Sequence, residues 1–217
     1  MCGRFALDAS ACQIKAYFEL SKGFVMRSRY NIAPGNKVPV IRARKAHDIQ
    51  IDFLEWGLRP AWAKGLSDAI STPSTPSTSP TSSLSTRVPN YINVRSETLF
   101  VKPTFKKIAL HQRCIIPATG YYEWKSLANK KQPYYVSLID YPLFGFAGIW
   151  DTWEDNQGHQ QERCAILTRE ANDTLIGVHE RMPLILSIEQ HALWLSDTTS
   201  GTLIELNNAP LLTQHQL

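Results

Sequence analysis

The second residue of the chain offers the most distinctive chemistry. Cysteine is small enough that a preceding Met1 is ordinarily removed. Removal leaves Cys2 with a free α-amine and a thiol on adjacent carbons. An unperturbed α-amine titrates at about 7.7–8.0 and a free thiol at about 8.5, so both are partly deprotonated near neutral pH. Such a 1,2-aminothiol can condense with an aldehyde through its amine and then close a five-membered thiazolidine with its sulfur. It can equally attack an acyl carbon with sulfur while the amine serves as base. The opening Met1-Cys2-Gly3-Arg4 does not by itself choose between these chemistries and an incidental cysteine.

Further along the chain, several polar residues sit where a plain core reading is awkward. Asn93 and Arg95 follow a Ser/Thr/Pro-rich stretch. Glu123 interrupts the aromatic run Tyr121-Tyr122-Glu123-Trp124. It lies either on a solvated strand face or in a pocket that raises its pKa. His179, in Val178-His179-Glu180-Arg181-Met182-Pro183, is either a satisfied structural histidine or a proton-transfer group. His179-Glu180 lacks the second histidine of an H-E-x-x-H helix, which rules out that zinc-protease arrangement. Arg4, Arg95 and Arg181 suit phosphate binding or ion pairing.

The composition sets the frame. A chain of 217 residues with 43% hydrophobic content supports one substantial core and one domain. A formal charge of +4 and a pI near 8.9 permit a nucleic-acid partner through local patches without requiring one. Cys2, Cys12, Cys114 and Cys164 form no C-x-x-C pair and show no zinc spacing, so no metal site is expected. Cys114 and Cys164 fall in apolar runs and should be buried and reduced, which fits a reducing compartment. There is no apolar signal region at the start and no apolar run as long as a membrane span. The expectation is a soluble intracellular protein without membrane contact, cytoplasmic or nucleoid-associated, or nuclear in a eukaryote.

The elements that must position these residues follow from periodicity. Asp8 or Ser10 is set to cap a helix over residues 11–20. Lys37–Arg44 and Ile49–Phe53 read as a hairpin. The segment Trp56–Trp62 is too rich in Trp, Gly and Pro for a regular element. From Ser71 to Thr86 the chain is almost wholly Ser, Thr and Pro, a composition that cannot offset its ordering entropy; an inserted surface loop, reaching to about residue 88, is expected. Ser96 is a candidate N-cap of a short helix ending before Pro103, with a second helix over Thr104–Leu110. Strands are expected at Arg113–Ala118, Tyr121–Lys125, Pro133–Ile139, Phe144–Trp150 and Glu162–Thr168. Hairpin turns are expected at Asn129-Lys130-Lys131 and Asp155–Gly158. A short helix is expected over Glu170–Val178, and Ser187 to Gln190 reads as a capping box opening a helix through Leu195. Strands dominate, with helices at both ends and few βαβ units. The fold class is therefore α+β, a single domain with a curved, barrel-like, mostly antiparallel sheet flanked by short helices. The domain is expected over residues 2–196, with a short tail over 197–217.

Eight segments taken together carry a resemblance. They are Met1–Arg4, Tyr30–Gly35, Trp56–Leu58, Asn93–Thr98, Arg113–Ala118, Gly120–Trp124, Ala165–Thr168 and His179–Pro183, in that order. In these the chain resembles the SRAP family, abasic-site processing proteins that form a DNA–protein crosslink. The resemblance runs from Cys2 to about Leu195. Val94 stands where the family usually has alanine, Arg59 where it more often has an apolar residue, and Glu180 where aspartate is commoner. The Ser/Thr/Pro insertion is longer than usual. None of these departures removes a reactive group, although Arg59 could alter how DNA lies beside Trp62.

The resemblance implies a substrate and a set of roles. The substrate would be an abasic site in single-stranded DNA, or one near a single-strand/double-strand junction, and the protein would act as a monomer without metal or organic cofactor. Glu123 and His179 would move protons, Asn93 and Thr168 would contact the reacting centre, and Cys2 would form the thiazolidine. Arg4, Arg95 and Arg181 would hold phosphates, with Trp62 and Trp124 stacking on bases. The family is also credited with removing its own N-terminal residue and with a lyase-like activity at the sugar. Two other classes compete. One is an N-terminal-nucleophile glutamine amidohydrolase, which shares Met-Cys-Gly but needs an oxyanion hole and a glutamine clamp. The other is a non-catalytic single-stranded DNA-binding module.

Overall fold

The structure is a computed structural model and describes residues 2–45, 48–63, 89–128, 130–196 and 212–217. The chain opens on strand β1 (Arg4–Leu7) and passes into helix α1 (Ala11–Tyr17). Of the two candidate caps, Ser10 is the one used. Its hydroxyl accepts from the Gln13 N–H while the Gln13 side chain accepts from the Ser10 N–H, a reciprocal capping box. Strand β2 (Arg29–Ile32) follows, then the hairpin β3 (Lys37–Lys45) and β4 (Asp48–Trp56), and a 3₁₀ turn at Ala61–Ala63. After the insertion come β5 (Asn93–Arg95), a second 3₁₀ turn (Ser96–Thr98) and α2 (Pro103–His111). Five strands then run in succession: β6 (Arg113–Ala118), β7 (Gly120–Leu127), β8 (Lys130–Leu138), β9 (Phe144–Glu154) and β10 (Gln160–Glu170). The chain ends through β11 (Arg181–Pro183), β12 (Ile185–Leu186), α3 (Ile188–Leu195) and β13 (Leu212–Gln216).

Five of these strands close a ring. β3 pairs antiparallel with β4 and β6, β6 with β9, and β9 with β10, and β10 returns to β4 in parallel. β5 lies parallel along β10, β11 pairs with the end of β10, and β12 pairs with β9. A second, antiparallel sheet runs in the order β13-β8-β7-β1-β2. The fold is thus α+β with a closed five-stranded barrel, as the strand-rich pattern predicts. β6 and the middle of β10 are buried along every residue, and after the arginine that opens each stretch they read as apolar runs, Cys114–Ala118 and Cys164–Leu167, rather than alternating ones, because both of their faces are covered. The first residue of β7 must be glycine. A Cβ on Gly120 would come 2.2 Å from the ring of Tyr135 on β8, which lies across it.

The barrel also encloses charge. Arg42 on β3 is 1% exposed. It bonds Asp52 on β4 at 2.7 Å and both oxygens of Glu162 on β10 at 2.8 and 2.6 Å, and its guanidinium lies 4.1 Å over the Trp150 ring of β9. One side chain thereby ties four barrel strands, and the two carboxylates hold its pKa up against burial.

Three local expectations change. Ser96 caps nothing; it begins a 3₁₀ turn whose cap position is Arg95, with no side-chain capping bond. Pro103 opens α2 instead of following a helix, since a proline at the first helical position loses no bond. No helix forms after Glu170. β10 runs through that residue, and the chain then passes through successive turns in which the Asn172 carbonyl accepts from the Leu175 and Ile176 N–H groups and the Leu175 carbonyl from those of Val178 and His179. The tail after Ser196 contributes β13, which pairs with β8 from Leu212↔Leu138 to Gln216↔Tyr134. The Ser71–Thr86 insertion and Asn129 lie outside the described residues. Cys114 and Cys164 are buried free thiols, as their apolar settings imply, and burial raises the pKa of both.

α1 and α3 meet through His191. Its ring stacks on Phe18 at 5.0 Å and meets Tyr17 edge-on at 5.9 Å, while its buried Nε2 has no partner. Burial drives its pKa down to about 4, against the upward pull of Glu189 and a bond to the Leu186 backbone. An unfolded chain titrates this group near 6.5. Between those values the unfolded state binds more protons, so stability is complete above about 6.5 and is lost as pH falls toward about 4. Thermal melts should show the midpoint falling across this window. His191→Phe, which keeps the stacking, should remove that component of the fall; an identical pH dependence in the variant would assign the effect to other groups.

Candidate active site

Cys2 sits two residues before the start of β1, an interior strand flanked by β7 and β2, and its side chain is completely buried. The Cys2 thiol donates weakly to the Arg4 carbonyl, Sγ to O 3.7 Å. The Cys2 carbonyl accepts from Asn93 Nδ2 at 2.8 Å. This bond joins the barrel to the second sheet, since Asn93 belongs to β5 and lies beside Ile166 of β10. The remaining side-chain oxygen of Asn93 is buried without a partner.

Glu123 lies on β7, which pairs with β1 through Phe5↔Tyr121 and Arg4↔Tyr122. It is 2% exposed, so the pocket reading holds and the solvated-face reading fails. Burial pushes its carboxyl above the ordinary carboxylate range, and the positive amino terminus and His179 pull it back. Burial is also the main cause of an upward shift at the Cys2 thiol; the charge of Glu123 adds to it and the amino terminus opposes it. A neutral thiol thus stands within the field of a carboxyl whose charged form is disfavoured by burial.

His179 completes the group. It follows the turns after β10 and is half-buried. Its Nδ1 accepts from the Arg181 backbone N–H at 2.9 Å. An accepting Nδ1 places the proton of the neutral ring on Nε2. Thr168 is buried on β10 opposite Arg95 of β5. Its backbone carbonyl and hydroxyl both accept from Arg181, at 2.8 and 3.3 Å.

The basic and aromatic residues separate into two sets. Arg4 donates to Asn31 at 2.8 Å and lines a cleft of about 640 Å³ with Gly3, Tyr30, Asn31, Tyr122 and Trp124. Arg95 is exposed on the adjacent strand end. The cleft thus begins at Gly3, next to Cys2, and holds one guanidinium and three aromatic side chains. Arg181, by contrast, is 7% exposed. Both of its terminal nitrogens are bound by Glu97, at 2.7 and 2.9 Å. Of the two readings of this arginine, ion pairing is the one realised, and the phosphate contact is corrected accordingly. Trp62 is 60% exposed in the 3₁₀ turn against Asp151 and Trp153 of β9, and does not line the cleft. Arg59 does not stand beside Trp62 on the surface. It turns inward, 4.6 Å over the Trp153 ring.

Sequence reasoning missed three contributors. Glu97 is the acid that occupies Arg181. Tyr30, Asn31 and Tyr122 form cleft walls, and the hydroxyl of Tyr122 donates to the Tyr30 carbonyl. Tyr121 is buried two residues from Glu123, on the same face of β7, and the strand period of two was the available signal. Among the described residues no cluster of three His, Cys, Asp or Glu side chains is placed to hold a metal ion.

This arrangement can relay protons between a buried carboxyl and an imidazole around a residue that carries two nucleophiles. Known proteins share the whole frame. The SOS response associated peptidase model matches residues 1–215. The chain is 33% identical over 200 residues to the abasic site processing protein YoaM of Bacillus subtilis, covering 90% of this chain and 79% of that one. It is 31% identical to YedK of Escherichia coli, also an abasic site processing protein, over 93% and 82% of the two chains. A crystal structure of a Bacteroides thetaiotaomicron protein superposes with a TM-score of 0.81 at 25% identity, covering 100% of this chain and 92% of the other. The family model spans nearly the whole chain, barrel and second sheet included, and the chain belongs to the SRAP family of SOS response associated peptidases.

Proposed function

We propose that this protein processes abasic sites in single-stranded DNA by crosslinking them covalently to Cys2. The observation that carries this reading is the burial of Cys2 beside Glu123 and under the Asn93 bond, with an open basic and aromatic cleft next to it. The names of the relatives, abasic site processing proteins, point the same way.

The chemistry follows from the groups present, once Met1 has been removed. An abasic sugar is mainly a closed hemiacetal. Glu123 in its acid form protonates the ring oxygen as the anomeric hydroxyl loses its proton, giving the aldehyde and a free hydroxyl. The Cys2 amine adds to the aldehyde carbon, and water leaves to give the imine, with Glu123 and the Nε2 proton of His179 supplying and taking up protons. Cys2 sulfur then adds to the imine carbon. A C–S bond forms, the C=N π pair returns to nitrogen, and the thiol proton ends on that nitrogen. Asn93 fixes the Cys2 backbone during these steps, and Thr168 supports Arg181 behind them. Arg4 and Arg95 hold flanking phosphates, Trp124 and the cleft tyrosines offer stacking faces, and Trp62 offers a further stacking face at the neighbouring turn. Attack of the Cys2 thiol on the Met1 carbonyl would move the methionyl group from nitrogen to sulfur, and water would then release methionine and leave amine and thiol both free, which suits an autoproteolytic removal of Met1; an imine at the sugar suits lyase-like strand cleavage. The protein is read as a monomer that works without metal or organic cofactor. No described helix is long and apolar enough to cross a membrane.

The thiazolidine needs amine and thiol free on the same residue. Processed wild type mixed with abasic single-stranded DNA should give an adduct that survives heat and detergent and appears in an intact-mass measurement. Protein retaining Met1 should give none, and Cys2→Ser or Cys2→Ala at most an imine that is trapped only by reduction. A stable adduct from Cys2→Ala would move the chemistry to another residue. Ammonia released from glutamine, with no DNA adduct, would instead establish the amidohydrolase reading.

Rate and affinity should separate by residue. Glu123→Gln should slow crosslinking by about 10²–10⁴-fold with equilibrium binding nearly unchanged. Arg95→Ala should weaken binding and lower the slope of log affinity against log salt by about one. Equal losses of binding in both variants would remove the assignment of Glu123 to proton transfer.

A further inference from the structure

Two buried polar atoms near Cys2 have no hydrogen-bond partner: Asn93 Oδ1 and the hydroxyl of Tyr121. The second is the more unusual. Tyr121 is completely enclosed, and its ring meets Phe146 of the barrel edge-on at 6.0 Å. A buried hydroxyl is almost always paired, and an unpaired one costs roughly 1–3 kcal/mol of desolvation. Phenylalanine would fill the same volume without that cost. The hydroxyl is therefore a candidate for a bond made only in another state of the site.

The surroundings indicate which bond. Tyr121 lies on the same face of β7 as Glu123, two residues away. Burial is the main cause that raises the pKa of its hydroxyl and keeps it protonated, and negative charge on Cys2 or Glu123 acts in the same direction. Those that act on Cys2 are Glu123 and the amino terminus. In the neutral state the only hydrogen bond of the Cys2 thiol is the weak one it donates to the Arg4 carbonyl. When the sulfur ionises it can no longer donate, and that carbonyl dipole becomes repulsive. A buried thiolate then needs a donor. Among the described residues Tyr121 supplies a buried O–H with no acceptor of its own.

We propose that the Tyr121 hydroxyl hydrogen-bonds the Cys2 sulfur as its thiolate forms, and so tunes the ring-closing half of the crosslinking reaction. Tyr121 keeps its proton throughout. The thiol proton passes to the site bases and ends on the thiazolidine nitrogen as the C–S bond forms. The inference rests on the crosslinking role proposed above. It makes Tyr121 a positioning residue for sulfur, distinct from the amine step, which draws on the amino terminus, Glu123 and His179.

The test uses processed full-length protein, wild type and Tyr121→Phe, in single-turnover reactions with abasic single-stranded DNA. Reduction by borohydride counts the imine and heat resistance counts the closed adduct. Hydrogen bonds to a charged group are the strong ones, so Tyr121→Phe should form the heat-stable adduct about tenfold more slowly while the reducible imine accumulates. The rise of the closing rate with pH should move to higher pH in the variant. Its melting temperature should match or exceed that of wild type, because an unpaired hydroxyl has been removed. Closure at the wild-type rate with an unchanged pH profile would overturn the inference while leaving the crosslinking reading intact. A lower melting temperature with imine and adduct falling together would overturn it too, by showing that the hydroxyl serves the fold. No adduct from wild type would remove the crosslinking reading, and this inference with it.

Discussion

The site depends on one packing constraint, the seating of Phe5 between the two sheets. Its ring meets Trp56 of β4 edge-on at 5.2 Å and Phe146 of β9 at 5.8 Å, so the first strand of the chain is plugged into the barrel wall. Edge-to-face aromatic pairs add roughly 0.5–1.5 kcal/mol each beyond the apolar area they bury. Chain termini ordinarily fray. Here β1 is an interior strand, paired with β7 on one side and β2 on the other, and the terminus is held where a nucleophile must be. Asn93 extends the hold to the second residue before the strand by binding the Cys2 carbonyl. An N-terminal cysteine is useful only if it is immobile, and these contacts make it so.

Burial governs the electrostatics of the same region. Water is excluded from Cys2, Tyr121 and Glu123, and the direction of each shift favours the neutral form. Charge made here during a reaction must be met by groups already in place. The fixed cations are kept apart from this centre. Arg181 is clamped by Glu97 and its own backbone N–H holds His179. Arg42, itself buried, is committed to the partly exposed Asp52 and Glu162 on neighbouring barrel strands. Arg4 donates to Asn31 at the cleft, and Arg95 is exposed.

The sequence alone determined the strand-rich character of the fold. The β-branched and aromatic runs of β3, β4, β6, β9 and β10 each bury a face and are extended for that reason. The capping box at Ser187, and Ser10 as one of two candidate caps, were legible because caps are local bonds between residues three apart. Cys2, Asn93, Glu123, His179 and Thr168 could be named because their residue types are rare in such apolar settings. The sequence could not say whether Glu123 faced solvent or pocket, because an isolated charge in a strand fits either face; the pairing of β7 with β1 and the barrel beyond it decided that.

Tertiary structure also decided what distant residues do to one another. Arg181 looked free to bind phosphate until Glu97, 84 positions away, was brought to it. The parallel pairing of β5 with β10 set Asn93 beside Ile166 and delivered it to Cys2, a contact no local pattern encodes. The helix expected from Glu170 onward gives way to the end of β10, whose Glu170 pairs with Arg181 of β11, and to a series of turns. The tail carried no readable motif because β13 is an edge strand specified mainly by the backbone bonds that β8 offers it. Residue types fix which chemistry a chain can do, because pKa and nucleophilicity belong to the side chain. Which of those groups meet, and in which charge state, depends on burial and long-range pairing, and those exist only once the two sheets have closed on each other.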